Sequence, residues 1–316
     1  MAIIISENRD TTTNKVIDWC LKNNTDVRRI NSNLCARLSF EISDEDDSVC
    51  INKQKISANE KIWNRRGKIN TLPKEELLKT PFYNYLKREE DSLVKSVEFH
   101  FKSRNSYTGS YIKEVENYKI AHLVSAKKVG LKIPRTIVTN YKEELVNFYQ
   151  KNKPIISKDL RYSVNISDEN TKYTSIGTFE VTETMLDHLD TYFAPCYVQE
   201  LIAKKVEIRV FIFKKKMFSM AIFSQNDTQT KIDYRNYNIE KPNRVSPFKF
   251  PENVEKQLLK FMNISNLDTG SIDLILTKKN EFVFLEVNPQ GQIDWLSKYC
   301  NYYIEKYIAE ELAYEK

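Results

Sequence analysis

The sequence predicts a mixed α/β (α+β) fold, and three stretches carry that expectation. Residues 2 to 5, Ala-Ile-Ile-Ile, make a short buried strand. A polar loop from Ser6 to Thr13 follows, then an amphipathic helix with Val16, Ile17, Trp19, Cys20 and Leu21, and then a second strand from Val27 to Ile30. This strand, helix, strand order implies a small parallel sheet at the N-terminus. Tyr197 to Phe213 reads as two strands around a short basic link. Ser271 to Gln292 reads as a hairpin whose strands are joined by Lys278, Lys279, Asn280 and Glu281.

The elements between these follow in order. The acidic run Asp44 to Asp47 is a solvated turn before a strand pair over Val49 to Ile56. Lys61 to Lys68 (KIWNRRGK) puts an aromatic and two adjacent arginines at the end of a strand. From Pro73 to Ser103, Leu77, Leu78, Phe82, Tyr85, Leu86, Leu93, Val94, Val97 and Phe101 recur at helical spacing and are expected in the core, with Thr80-Pro81 dividing two helices. Ser103 to Ser110 has linker composition. A helix from Asn117 ends at Gly130, and a strand is entered through Pro134. Lys153 to Asp159 is a strand with Lys158 at its polar end. Residues 161–178, with Gly177 as their only glycine, form a hairpin or flap. Lys214 to Met217 turns into a strand over Phe218 to Ser224, and Pro251 to Met262 is a helix. Trp295 to the end is one amphipathic helix carrying Leu296, Tyr299, Tyr303, Ile304, Tyr307, Ile308 and Leu312, a face that packs on the domain or, equally, serves as a dimer surface.

At 316 residues, with 41% hydrophobic and 29% charged, the chain suits a globular protein of about two domains. Its 49 basic and 43 acidic residues give a mild +6, spread without a basic stripe, so nucleic-acid binding is not expected. Cys20, Cys35, Cys50, Cys196 and Cys300 are scattered and odd in number. They argue against a disulfide framework or a zinc knuckle and fit a reducing compartment. The opening residues lack the basic lead and long apolar run of a signal peptide, and no run reaches a membrane span, so a cytoplasmic protein is expected. His100, His122 and His188 neighbour no plausible nucleophile.

The Ser271 to Gln292 hairpin also carries chemistry. Asp273 interrupts its first strand, and Glu286 and Asn288, two apart, share a face of the second. If Asp273 pairs across from them, two carboxylates and an amide oxygen converge. That donor set suits Mg2+ brought in by phosphates. The alternative is acids turned to water, which is costly within a run of Leu, Ile, Val and Phe unless they are paired. Glu207 and Arg209 likewise share a strand face, and the simplest reading is a cross-strand ion pair worth little.

Glu286-Val-Asn-Pro-Gln-Gly-Gln resembles the metal-binding E-x-N-P-x-G end of ATP-grasp ligases, and Ser-Ile-Asp-Leu resembles their upstream Asp strand. The resemblance spans nearly the whole chain and implies an ATP-grasp fold in three parts. These are an N-terminal pre-ATP-grasp domain over 1–110 with the small parallel sheet, a lid or central subdomain over 111–200, and a C-terminal subdomain with the metal site over 201–316. By the same resemblance the cofactors are ATP and Mg2+. Lys119 and Lys158 meet the phosphates, Gln199, Glu200, Leu201 and Ile202 form the adenine hinge, and Glu207 approaches the ribose. Arg209 contacts the transferring phosphate, Arg235 faces the acyl-phosphate side, and Asp273, Glu286 and Asn288 hold the metal. Arg209 and Arg235 are thus the implied catalytic residues. A carboxylate attacks the terminal phosphate to give an acyl phosphate and ADP, with help from positioning and electrostatics alone.

The Trp63, Arg65, Arg66 segment, the Asn117 to Lys119 helix start, the Glu207 to Arg209 strand and the Glu286 to Gln292 end together resemble one branch, the graspetide synthetases, including the microviridin and grasp-with-spasm types. That resemblance implies a partner, a ribosomally made precursor with a leader and an acidic core. Its Asp or Glu side chains would be joined to Thr or Ser as esters or to Lys as amides. It also implies a homodimer, with neither nucleic acid nor membrane as partner. Arg65 and Arg66 are left between domain packing and substrate contact. Two alternatives stand: a ligase adding free amino acids to a protein or peptide terminus, and a nucleotide-binding regulatory module without catalysis.

Overall fold

A computed structural model describes residues 1–57, 59–72, 80–104, 106–161, 165–167, 171–174, 177–225, 227, 229–235 and 238–313. The helix expected around Leu77 and Leu78, and parts of the 161–178 segment, lie outside the described residues.

The N-terminal strand β1 (Ala2–Ser6) is buried along its whole length. The period of two explains why. Ile3 and Ile5 enter one core with Val94, Val97 and Phe101, while Ala2 and Ile4 enter another with Val16, Trp63 and Ile308. Helix α1 (Thr11–Lys22) is capped by Asp10, whose Oδ1 accepts from Thr13 N at 2.7 Å. Strand β2 (Val27–Asn31) returns parallel to β1. Strands β3 (Leu38–Ile42), β4 (Asp47–Ile51) and β5 (Gln54–Ile56) form a separate antiparallel meander, of which β3 was not expected. Strand β6 (Lys61–Asn64) pairs parallel on the other side of β1. After α2 (Tyr83–Ser103), β7 (Tyr107–Thr108) completes a four-stranded sheet of order β2-β1-β6-β7, so the expected parallel sheet is present.

Two expectations fail here. The Ser103 to Ser110 stretch is no free linker, because Tyr107, Thr108 and Ser110 are buried in this sheet and its surroundings. On α2, Val94, Val97 and Phe101 are core as expected. Phe82 and Tyr85 at its start are 67% and 60% exposed, beyond the reach of that core.

Next come α3 (Tyr111–Val115), α4 (Lys119–Lys128), β8 (Thr136–Tyr141), α5 (Lys142–Asn152), β9 (Ile155–Lys158), β10 (Asn165–Ser167), β11 (Lys172–Thr174), β12 (Phe179–Glu180), α6 (Glu183–Asp187) and β13 (Tyr192–Glu200). Strands β12-β9-β13-β8 make an antiparallel sheet, and β10 pairs with β11 as the expected hairpin. Helix α5, not anticipated, packs Leu145, Val146, Phe148 and Tyr149 on this sheet.

The rest is a five-stranded antiparallel sheet, order β16-β15-β14-β17-β18, built from β14 (Lys204–Phe213), β15 (Lys216–Phe223), β16 (Arg244–Pro247), β17 (Thr269–Thr277) and β18 (Phe282–Asn288). Helix α7 (Glu252–Ile264) lies between β16 and β17 in sequence. It packs Leu258 and Phe261 with Ile208, Val210 and Ile212 on one face of the sheet. Phe211 and Phe213 point the other way, into the core shared with α1 and the C-terminal helices. The single helix expected after Trp295 is two, α8 (Asp294–Cys300) and α9 (Ile304–Leu312). Asn301 and Tyr303 take left-handed φ of 55° and 52° and end the first run. Tyr299 and Tyr303, expected on the packed face, are more than half exposed, while Ile304, Ile308 and Leu312 are buried. Among the described residues no helix is long and apolar enough to cross a membrane.

Candidate active site

The site is built on one row across three strands. Arg209 on β14 is opposite Asp273 on β17, and Asp273 is opposite Glu286 on β18. A bulge beside Asp273 brings Leu274 opposite Phe284, so β18 carries one extra residue there. Arg209 Nη1 donates to both oxygens of Asp273, at 2.9 and 3.0 Å. Its guanidinium also reaches Tyr234 Oη at 3.3 Å and lies 5.7 Å from the Trp295 ring centre. Arg209 thus forms a cross-strand ion pair with Asp273, and Glu207 has a partner of its own in Lys204.

Glu286 collects the cations. Lys119 Nζ at the start of α4 and Lys158 Nζ at the end of β9 stand 3.4 and 3.5 Å from Glu286 Oε2, and Arg235 Nη1 is 3.8 Å from Oε1. Oε2 is buried and makes no hydrogen bond of ordinary geometry. Burial alone would raise this carboxyl, but Lys158, Lys119 and Arg235 hold it down at about 2. Asp273 moves the opposite way. Burial pushes it up, and Arg209 only partly offsets that. Burial also lowers the Lys158 ammonium, against the pull of Glu286.

Arg235 is fixed by Asp233, which accepts from its Nε at 2.9 Å and its Nη2 at 2.7 Å. Glu207 Oε1 accepts from Lys204 Nζ at 2.6 Å and Ser224 Oγ at 2.7 Å, and burial raises its carboxyl above the ordinary range. In the hinge, buried Gln199 donates to Thr136 Oγ1 at 2.9 Å. The N–H groups of Glu200 and Leu201 are donated to Arg135 O and Pro154 O. Lys158, Gln199, Glu200, Leu201, Ile202, Glu207, Arg235, Asp273 and Glu286 all line one cleft, and their side chains leave about 60 Å³ open between them. Asn288 stands apart from this lining. Its Oδ1 accepts from Gln290 N at 3.1 Å.

Four residues at the site were not anticipated: Lys204, Asp233, Tyr234 and Trp295. Asp233 was legible in principle, since opposite charges two apart in Asp-Tyr-Arg bracket the same spot. Trp295 arrives from the start of α8 and Tyr234 from a turn, and no period links them to Arg209. The sequence left Arg65 open, and the structure shows its guanidinium buried against the Gln290–Gly291 backbone.

Asp273 and Glu286 set two hard oxygen donors side by side. Among the described residues no group of three or more His, Cys, Asp or Glu could hold a metal. Two carboxylates are too few for an all-protein cage and suit an ion that keeps phosphate and water oxygens.

The RimK-like ATP-grasp domain family matches residues 115–312. A search of curated proteins gives no match. Among solved structures, a Chryseobacterium gregarium RiPP-associated ATP-grasp ligase in complex with ADP and a leader and core peptide is similar at 26% identity and TM-score 0.83, covering 98% of this chain and 96% of that one. The macrocyclase MdnC bound with precursor peptide MdnA, from Microcystis aeruginosa MRC, is similar at 26% identity and TM-score 0.77, covering 99% of both chains. The ATP-grasp ligase PsnB, complexed with a precursor variant, Mg and ADP, shares the fold at 14% identity and TM-score 0.75, covering 98% of this chain and 97% of that one. The fold is the ATP-grasp fold.

Proposed function

We infer that this chain, which belongs to the RimK-like ATP-grasp family, is an ATP-dependent peptide macrocyclase. It would activate Asp or Glu side chains of a ribosomally made precursor as acyl phosphates, releasing ADP, and link them to Thr or Ser as esters or to Lys as amides. The observation that carries this reading is the Arg209, Asp273, Glu286 row with Lys119 and Lys158 at its end. It occurs in a chain that resembles two peptide-bound ligases over almost its full length.

Each cation at Glu286 is a phosphate binder in waiting. With a triphosphate bound, Lys119 and Lys158 would pair with its oxygens instead of Glu286, and Asp273, Glu286 and Asn288 would hold Mg2+, whose charge would neutralise the phosphates. Arg209 and Arg235 face the charge that spreads over the transferring group. Gln199 to Ile202 take the base. Because the N–H groups of Glu200 and Leu201 are already donated, that contact falls to carbonyls of the hinge and to Ile202. Glu207 keeps its second oxygen for the ribose.

We also propose the three-part division at 110 and 200, a homodimer, and a cytoplasmic setting. All five cysteines are free, which favours the last. A ligase adding free amino acids to a terminus would share every residue named above. A non-catalytic nucleotide-binding module is disfavoured by the full cation and carboxylate set. The test of the active site is Glu286→Gln. It should abolish ADP release while circular dichroism stays unchanged, and undiminished turnover would remove Glu286 from the site.

A further inference from the structure

The three residues after β18, Pro289 to Gly291, are gripped from the N-terminal unit. Arg65, which follows β6 and is 4% exposed, donates from Nη1 to Gln290 O at 2.9 Å and Gly291 O at 3.2 Å. Gln290 Nε2 donates to Asn64 Oδ1 at 2.8 Å and Ser110 O at 3.2 Å. Its N–H is shared between Asn288 Oδ1 at 3.1 Å and Glu114 Oε2 at 3.2 Å.

The other side of the same loop touches the arginine of the row. A Cβ at Gly291 would stand 3.0 Å from Arg209 Nη2 and 2.3 Å from Ser271 Oγ. Gly291 does not have a left-handed φ, so the glycine is required for room. Arg209 is thus bounded by Asp273, Tyr234 and Trp295, and by the bare backbone of Gly291. Two buried guanidiniums flank one short loop, one holding its carbonyls and one lying against its Cα.

A buried arginine is a costly way to pack an interface, and an apolar side chain would do it at least as well. Nη1 alone spans the two successive carbonyls, while Nε on the other edge of the same rigid plane stands 3.7 Å from Asp10 Oδ2, so the guanidinium ties the loop to the start of α1 and sets where it stands. We propose that Arg65 is a positioning residue for the phosphoryl-transfer end of the cleft. It acts through Gln290 and Gly291 to set where the Arg209 guanidinium stands.

This rests on the ATP-binding reading above, and it predicts an effect confined to the terminal phosphate. Binding of a non-hydrolysable ATP analogue and of ADP, each with Mg2+, would be measured by titration calorimetry, with thermal unfolding in parallel. The proteins are wild type, Arg65→Ala, Arg65→Lys, Gln290→Ala and Arg209→Ala. Arg65→Ala should weaken the analogue roughly tenfold and leave ADP within about twofold. Arg65→Lys has one nitrogen for both the loop carbonyls and Asp10 Oδ2, which lies 3.7 Å from Arg65 Nε, so it should fall between. If Arg65→Ala does not fold, Arg65→Lys and Gln290→Ala carry the same comparison. Equal loss for both nucleotides, or loss for neither, in the folded variants overturns the proposal. Failure of the wild type to bind nucleotide, or an Arg209→Ala variant that still tells the two apart, overturns the underlying reading and the proposal with it.

Discussion

Glu286 faces Asp273 directly across the β17–β18 pair, yet the two carboxyls are driven apart in charge. Burial acts on both. Three cations hold Glu286 down at about 2, whereas Asp273 is pushed up by burial and by Glu286 against the pull of Arg209 and Arg235.

This asymmetry fixes the acid response of the protein without nucleotide or Mg2+. Glu286 has a folded value near 2 against an ordinary 4.5. Its stabilising contribution is therefore whole above the ordinary value and is lost as pH falls from there toward the folded one. Asp273, raised in the fold, contributes with the opposite sign. The stability gap between wild type and Glu286→Gln should therefore shrink between about pH 5 and pH 3. Urea midpoints across that range test it, and a gap independent of pH would contradict it.

Lys204 and Glu207 form a buried pair, 5% and 7% exposed. Lys204→Met alone leaves a buried carboxylate without its cation and should cost about 3 kcal/mol. Adding Glu207→Gln should recover most of that loss. Denaturant unfolding of the two singles and the double measures the coupling. Additive losses would mean that the pair is not held together in the fold.

Gly291→Ala inserts a methyl against Ser271 and Arg209. It should destabilise by about 1–3 kcal/mol and reduce turnover by displacing the Arg209 guanidinium. Unfolding midpoints and ADP release measure the two effects. An alanine variant as stable and as active as wild type would show that the loop has room to spare.

The parts legible in the sequence were those with a local period. Asp273 and Glu286 stood out against alternating apolar strands, and the register then placed them face to face. Strand β1, helix α1 and the successive strands β13 and β14 followed from the same patterning. Most of what escaped had no such signal. Leu38–Ile42 does alternate, as Leu-Ser-Phe-Glu-Ile, but it is short and no residue of it is fully buried. Tyr107–Thr108 is two residues long and becomes a strand only because β6 offers it an edge. The break before Ile304 depends on backbone at Asn301 and Tyr303 rather than on hydrophobic spacing. Arg65 could not be assigned because its partners lie 225 and 226 residues away in the chain.

The most direct test of the central claim is the intact mass of an acidic peptide containing Thr, Ser or Lys, encoded beside this gene, after incubation with the protein, ATP and Mg2+. Stepwise loss of water, absent with Glu286→Gln, is the predicted result and would establish intramolecular ester or amide formation. A gain of amino-acid residue masses when free amino acids are supplied would contradict it in favour of a terminal ligase. An unchanged mass, with no ADP released, would contradict the catalytic reading itself.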